Sequence, residues 1–430
     1  MTTPQKLSKP FYILLSLPST AMGFALCVQI SALSWILSTK YDLSIEHVGL
    51  VWLAGPLAGL LAQPIVGLVS DRVWFWGGRR RPFILIGGVT ASLMLLALPF
   101  LGEISGWSGI PVLWTAVAVA LTLDLAINVG FNPTRSIIAD LTPEGEARTK
   151  GFTWMQTISG MFGVLAYVIG AVFGNAALIF FGAVLVLVFN VVPAFLLREP
   201  RELGSVAGSE ASAETVAGGG RANWRRLWHI YLAHGFTWLG VQTMFVYMFA
   251  YAQGVFFPGV VELAEAQKNS LGQVISLSFL VMNTVGFVLP VAVLQPMAKR
   301  FGLVRTHTIC IFLMALGYAG IVAYGGGSAP RLYALMAVVG IGWAAVVSLP
   351  FAIVSDSVDK ARMGLFMGLF NLSVVVPQIF VSVGIGRWVE SVVDKSVVFM
   401  ISAGALAMSA VLWALLKEDH AEGLGFPQRR

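Results

Sequence analysis

The strongest constraint on this chain is a segment type that recurs from end to end: runs of about 20 or more mostly apolar residues, divided by short polar stretches. An α-helix rises 1.5 Å per residue, so about 20 residues cross the roughly 30 Å of hydrocarbon in a bilayer. Such runs fall at residues 12–38, 47–70, 82–101, 111–138, 151–174, 176–197, 227–254, 270–295, 302–325, 331–355, 363–387 and 394–416. Composition agrees, with 57% of the residues hydrophobic and only 11% charged, against about a quarter charged in soluble domains. A surface so poor in charge faces lipid. Gly and Pro within the runs do not argue against helix, because lipid offers the backbone no other hydrogen-bonding partner. The expected fold class is therefore all-α and membrane-embedded, with 12 spans.

The net charge of +6 does not point to nucleic acid, because no Lys/Arg stripe with interleaved aromatics lies on a soluble domain. It points instead to orientation. With both termini inside, Lys40, Lys268, Arg331, Arg387 and Lys395 fall outside, leaving 22 of the 27 basic residues on the cytoplasmic side. A multi-pass protein of the cytoplasmic (inner) membrane follows, with both ends cytoplasmic. Lys6 and Lys9 precede an apolar run that continues past Ala32 without a small-residue cleavage site, so this run reads as the first span and not a removed signal. Cys27 and Cys310 both lie in apolar spans, which argues against a disulfide framework.

The longest hydrophilic stretch, Arg198 to Arg226, contains GSVAGSEASAETVAGGG, a flexible low-complexity linker in the middle of the chain. The expected organisation is a bundle over 1–200, a linker over 201–226, a second bundle over 227–417 and a tail over 418–430. The halves echo each other. The fourth span ends IIAD (Ile137–Asp140) and the tenth IVSD (Ile353–Asp356), and GLVSDR before the third span has a weaker counterpart in Lys299–Arg305. Two similar six-helix halves are a common construction of secondary transporters, with the substrate site between them near the membrane midplane.

Between the second and third spans the chain reads GLVSDRVWFWGGRRRPF (Gly67–Phe83). A cytoplasmic loop is enough to explain Arg72, Arg79, Arg80 and Arg81; it does not explain the pattern Gly67–Asp71–Arg72–Gly78–Arg79–Arg80. That pattern resembles the G-x-x-x-D-R-x-G-R-R loop of the major facilitator superfamily, with extra residues before Gly78. The resemblance implies a loop that serves conformational switching and does not touch substrate. It sharpens further: Gly55–Arg72 with Gly78–Gly88, DLAINVGFNPTRSIIADL (Asp124–Leu141), Ser348–Asp356 and Gly368–Ile379 look like the plant sucrose–proton symporters and their bacterial and animal relatives. These belong to the glycoside–pentoside–hexuronide:cation symporter-like group. There are departures. His47 stands two residues out of register with the external-loop His of plant members, Ile45 occupying the matching point, and the seventh span (Phe236–Phe249) does not follow the plant pattern.

Of the 21 acidic residues, Asp124 alone falls in the middle of an expected span. A charge at the bilayer centre costs at least about 2.5–3.5 kcal/mol, so such a residue usually faces a cavity. A carboxyl removed from water is suited to exchange a proton near neutral pH, and the resemblance gives the matching Asp the coupling role. Asn128 and Arg135 follow by 4 and 11 residues. At about 100° per residue both fall within roughly 40° of Asp124 on one helical face, Arg135 toward the cytoplasm as a charge partner, a gate or an interfacial anchor. The reading fails if the Asp124 side chain faces lipid or is locked against a cation.

A neutral sugar presents hydroxyls and apolar C–H faces and asks for amides, carboxylates and aromatic platforms. The candidates are Gln29 in span one, Asn128 in span four, Trp238 and Gln242 in span seven, Trp343 in span ten, and Asn371 and Gln378 in span eleven. For each, helix–helix hydrogen bonding or an interfacial aromatic belt is the plainer role. His234, near the cytoplasmic end of span seven, reads as structural. No P-loop, H-E-x-x-H, G-x-S-x-G or metal-spaced Cys/His group is present, so no enzyme, cofactor or metal is expected. The expected function is import of a disaccharide such as sucrose or maltose together with a proton, by a carrier acting as a monomer. A proton-coupled exporter of an amphipathic compound and a non-transporting receptor remain alternatives.

Overall fold

The computed structural model describes residues 7–60, 73–143, 146–199, 224–260, 262–356 and 363–417. The described residues form α1 (Lys9–Thr39), α2 (Ile45–Leu60), α3 (Arg81–Ser108), α4 (Val112–Leu141), α5 (Glu146–Phe173) and α6 (Asn175–Leu196). The second half comprises α7 (Trp224–Phe256), α8 (Glu265–Leu289, continued to Phe301), α9 (Leu303–Tyr324), α10 (Ala329–Val354), α11 (Met363–Phe380, continued to Ser391) and α12 (Val397–Ala414). Ten of these are long and apolar enough to cross a membrane. Of the other two, α2 runs into residues outside the described set, and α7 has the length, at 33 residues, but interleaves His, Trp, Tyr and Gln among its apolar residues. The expected linker 201–226 is described only from Trp224 onward, and Gly67, Asp71, Arg72 and the tail 418–430 lie outside the described residues.

Each half packs as its own bundle. In the first, α1 lies against α5 and α6, and α3 against α4 and α6; in the second, α7 lies against α11 and α12, α8 against α10, and α9 against α10 and α12. Across the halves, α5 meets α8, and α1 meets α7 and α8. Helices that alternate in direction put Lys9, Lys417 and the basic α2–α3 and α8–α9 connections on one face, termed the basic face; the opposite face is distal.

The two faces differ in how the halves meet. From mid-depth toward the distal face one apolar core spans both bundles, with Phe24, Val28, Leu33 and Trp35 of the first half and Phe245, Val246, Phe279 and Phe399 of the second. Toward the basic face each half has a core of its own: Leu15, Ile84, Ile137, Ile138, Met155 and Leu197 in the first, and a separate group around Tyr231, Phe366, Phe370 and Trp413 in the second. Hydrogen bonds fasten the distal end. Ser31 of α1, Ser276 of α8 and Asn175 Oδ1 of α6 form a triangle with sides of 2.9–3.2 Å, in which the two hydroxyl protons are shared among three contacts. Trp35 donates to Lys268 O at 2.8 Å, and Arg387 pairs with Glu46 at 2.9 Å. The halves are thus sealed distally.

Both α8 and α11 carry a π turn, at Pro290–Leu294 and Val381–Ile385. Such turns interrupt the regular hydrogen-bond ladder and often mark working parts of a helix. In α11 the Val381 carbonyl accepts instead from Tyr247 Oη of α7 at 2.9 Å. Gly49 of α2 lies against the same place; a Cβ there would come within 2.6 Å of the Ser382 carbonyl oxygen, so only glycine allows this contact between the halves.

Candidate functional site

Among the described residues Asp124 is the buried carboxylate, 4% exposed, at mid-length of α4. Gln29 of α1, 3% exposed, donates from Nε2 to Asp124 Oδ2 at 2.9 Å. On α2, Gly55 presents bare backbone to the carboxylate: a Cβ there would stand 3.6 Å from both oxygens. Asn128, one turn along α4, donates from Nδ2 to the Asp124 main-chain carbonyl at 2.8 Å. The carboxyl thus points into the first bundle, away from lipid, and no cation pairs with it among the described residues.

The structure does not bring Arg135 to this group. Eleven residues of helix separate them by about 16 Å along the axis. The Arg135 side chain is exposed, its guanidinium carbon 5.1 Å from the Phe131 ring centre. Sharing a helical face places two residues on one line and says nothing of their separation along it.

The second bundle holds aromatic rings and amides. Trp238 of α7 and Trp343 of α10 meet edge to face, centroids 6.4 Å apart at 79°, and Phe245 lies 5.4 Å from Trp343 at 88°. Gln378 of α11 donates to Gln242 Oε1 of α7 at 3.2 Å. Asn371 is half-buried and makes no hydrogen bond to this group among the described residues. Two residues that sequence reasoning did not nominate for the site join it. Asn283 of α8 accepts the Trp343 indole N–H at 3.1 Å, and His234, read as structural, accepts the Trp238 indole N–H at Nε2, 2.9 Å away. The available signal for Asn283 was an amide inside an apolar span, the same signal that nominated Gln29.

One cross-half bond sets the depth of the two groups. Ser34 Oγ of α1 donates to Val246 O of α7 at 2.9 Å. Both helices run from the basic face to the distal face. Counting five residues, about 7.5 Å, back from each reaches Gln29 and Val241, the neighbour of Gln242. The carboxylate–amide group and the aromatic–amide group therefore stand at one depth in the bundle.

The loop after α2 is built around two carboxylates. Trp76 and Gly77 have φ of 48° and 76°, and Phe75 and Gly78 exchange backbone hydrogen bonds of 3.1 and 3.2 Å. This is a two-residue turn with positive φ at both central positions, and it absorbs the extra residues before Gly78. Arg79 and Arg80 pair with Asp140 at the end of α4, at 3.4 and 3.2 Å. Glu199, just past α6, accepts the backbone N–H groups of Arg79, Arg80 and Arg81 at 2.9, 3.0 and 2.7 Å. A carboxylate suits the N-terminus of α3, where N–H groups lack helical partners. Gly78 is required by this contact, since a Cβ there would fall 2.5 Å from Glu199 Oε1. Glu199 was missed in the sequence because nothing local tells a linker acid from a helix cap.

A family model described as Major Facilitator Superfamily matches residues 15–382. The chain is similar to the sucrose transport protein SUC4 of Arabidopsis thaliana, 27% identical over 436 residues, with 87% of this chain and 84% of that protein covered. It is also similar to the sucrose transport protein SUT2 of Oryza sativa subsp. indica, 28% identical over 448 residues, with 88% and 87% covered. Among solved structures, a variant of the nucleoside transporter NupG superposes with a TM-score of 0.74 at 14% identity, covering 94% of this chain and 98% of that one, a likeness of fold.

Proposed function

Because this chain belongs to the major facilitator superfamily, we propose that it is a proton-coupled symporter that takes up a small neutral sugar, sucrose or a related glucoside such as maltose. The observation that carries this reading is the pairing of two groups at one depth. In one half is an acid without a basic partner among the described residues, held by Gln29; in the other is an aromatic and amide surface. The curated relatives named above, spanning most of this chain, support a sugar as the substrate.

The basic face is cytoplasmic in this proposal, on the bias of Lys and Arg, and the distally sealed form is then the inward-facing one. The cycle follows alternating access. Asp124 takes a proton while reachable from the distal side, sugar docks on the aromatic rings with hydroxyls toward the amides, and the loaded halves rock to the sealed form. Protonation removes the charge whose burial opposes that passage. Gly67, Asp71, Arg72, Gly78, Arg79 and Arg80 serve as the conformational-switch loop, and Arg135 as an anchor or gate at the basic face. The carrier works as a monomer.

The test is uptake of radiolabelled sucrose and maltose into vesicles of the reconstituted protein with an imposed pH gradient. Uphill accumulation that collapses with a protonophore supports symport. Accumulation indifferent to the pH gradient overturns proton coupling, and absence of sugar flux overturns the substrate.

A further inference from the structure

The paired tryptophans present an arrangement that the helix pattern does not require: both indole N–H groups are already spent on protein acceptors, one on His234 and one on Asn283. Indole nitrogen is a donor only. With that donor occupied, each ring can offer a ligand nothing but its faces and edges. The rings themselves stand nearly perpendicular, at 79°.

The two acceptors are oriented in turn. Asn283 donates from Nδ2 to the Phe279 carbonyl at 2.9 Å, which fixes its amide with Oδ1 toward Trp343. On the same helix Gly286 leaves room for the ring, since a Cβ there would come within 2.8 Å of Trp343 Cδ1. His234 stacks on Phe370, centroids 4.5 Å apart at 21°. Its Nε2 accepts from Trp238, so the imidazole is neutral with its proton on Nδ1. That Nδ1 is buried and has no partner among the described residues. A Phe at this position would stack on Phe370 equally well and leave no orphaned donor. A buried polar atom left unpaired is costly, so the acceptor at Nε2 is what the imidazole contributes.

We infer that His234 and Asn283 are positioning residues for the ligand platform, each holding one tryptophan by its N–H so that ring faces, and not donors, line the site. The ligand selected by such a surface carries an apolar C–H face and meets its hydrogen bonds elsewhere, at Gln242, Gln378 and Asp124. This rests on the sugar reading above and assigns two residues to it.

The experiment uses the full-length protein in vesicles, radiolabelled sucrose, and indole ¹⁵N–H resonances of labelled tryptophan. Asn283→Leu and His234→Phe remove the acceptors while keeping the branched and the planar-ring shapes. The expected result is a shift of one indole resonance in each, a sucrose KM raised about three- to tenfold, and kcat and the accumulation ratio within about twofold of the parent. Asn283→Gln and His234→Gln, which retain an acceptor, recover part of the KM. Trp343→Phe and Trp238→Phe, which keep a ring and delete the donor, give the same KM rise even if the acceptor variants fail to fold. Shifted resonances with unchanged KM overturn the inference, as does a loss of kcat with KM unmoved. If Trp343→Ala itself leaves KM unchanged, the sugar-platform reading has failed; if Trp343→Ala weakens sucrose while the acceptor and Phe variants do not, only this inference has.

Discussion

At the depth of Gln29 and Gln242, the first half of the molecule offers a carboxylate with two amides, and the second offers aromatic rings with amides. The helices of the halves correspond; these groups do not. Aligning Asp140 with Asp356, an offset of 216 residues, pairs Asp124 with Gly340 and Asn128 with Ala344. Gly340 is where α10 presses its backbone on α8, a Cβ there falling 2.7 Å from the Met282 carbonyl oxygen. The second half therefore uses for close packing the position at which the first half holds its acid. The loops on the basic face diverge in the same way. The first is held by Asp140 and Glu199, while the second turns between α8 and α9 at Gly302, with φ 93°. A repeated scaffold thus leaves each half at liberty to specialise, and the proposed function uses that liberty by giving proton handling to one half and ligand binding to the other.

The sharpest way to break this comparison is Asp124→Asn, which keeps shape and removes the ionisable group. Uphill accumulation should vanish, the internal-to-external sugar ratio falling to one, while sucrose still quenches or shifts tryptophan fluorescence with its midpoint within about threefold of the parent. Loss of the fluorescence response together with accumulation means that the halves do not work separately. Next in size is Trp343→Ala. Removing a ring from an edge-to-face cluster should raise KM about tenfold, equivalent to about 1.4 kcal/mol, with the accumulation ratio at saturating sugar unchanged; a lowered ratio would place the ring in coupling. Smaller again is Gln378→Leu. One neutral hydrogen bond is worth about 0.5–1.5 kcal/mol, so uptake assays should give a KM raised about threefold. No change at all would make the Gln242–Gln378 contact helix–helix glue and nothing more.

How much of this was legible beforehand follows from what a single helix reveals. The spans, the even division and the family resemblance were open to reading, because lipid forces apolar runs of nearly fixed length. Asp124 stood out because burying a charge is expensive anywhere in such a run. The 100° periodicity placed Asn128 beside it, and the structure has that side chain on the Asp124 carbonyl. The same periodicity grouped Arg135 with Asp124 although about 16 Å of helix lies between them. Periodicity fixes a direction around one helix, and partners on other helices are set by packing. Hence neither the acceptor role of His234, the recruitment of Asn283, nor the fastening of Ser31 to Asn175 and Ser276 could be read from spacing.

The smallest expected effect tests the loops. Glu199 collects three backbone N–H groups at the start of α3, and the second half has no such cap among its described residues at the start of α9, where Gly302 makes no side-chain bond. Replacing Glu199 with Ala removes the acceptor of all three. These bonds are only part-buried, with Trp76, Gly77 and Arg198 exposed beside them, so the cost is that of a lost cap, about 1 kcal/mol, and not that of three orphaned buried donors. A change of 1 kcal/mol corresponds to about a fivefold change in an opening equilibrium. Hydrogen exchange at Arg79, Arg80 and Arg81 should accelerate by about that factor, with exchange at Leu303–Arg305 unaltered and sugar KM unchanged. Exchange that quickens equally in both loops would mean that the α2–α3 connection is not anchored by its own half, and that the two basic loops are coupled across the bundle.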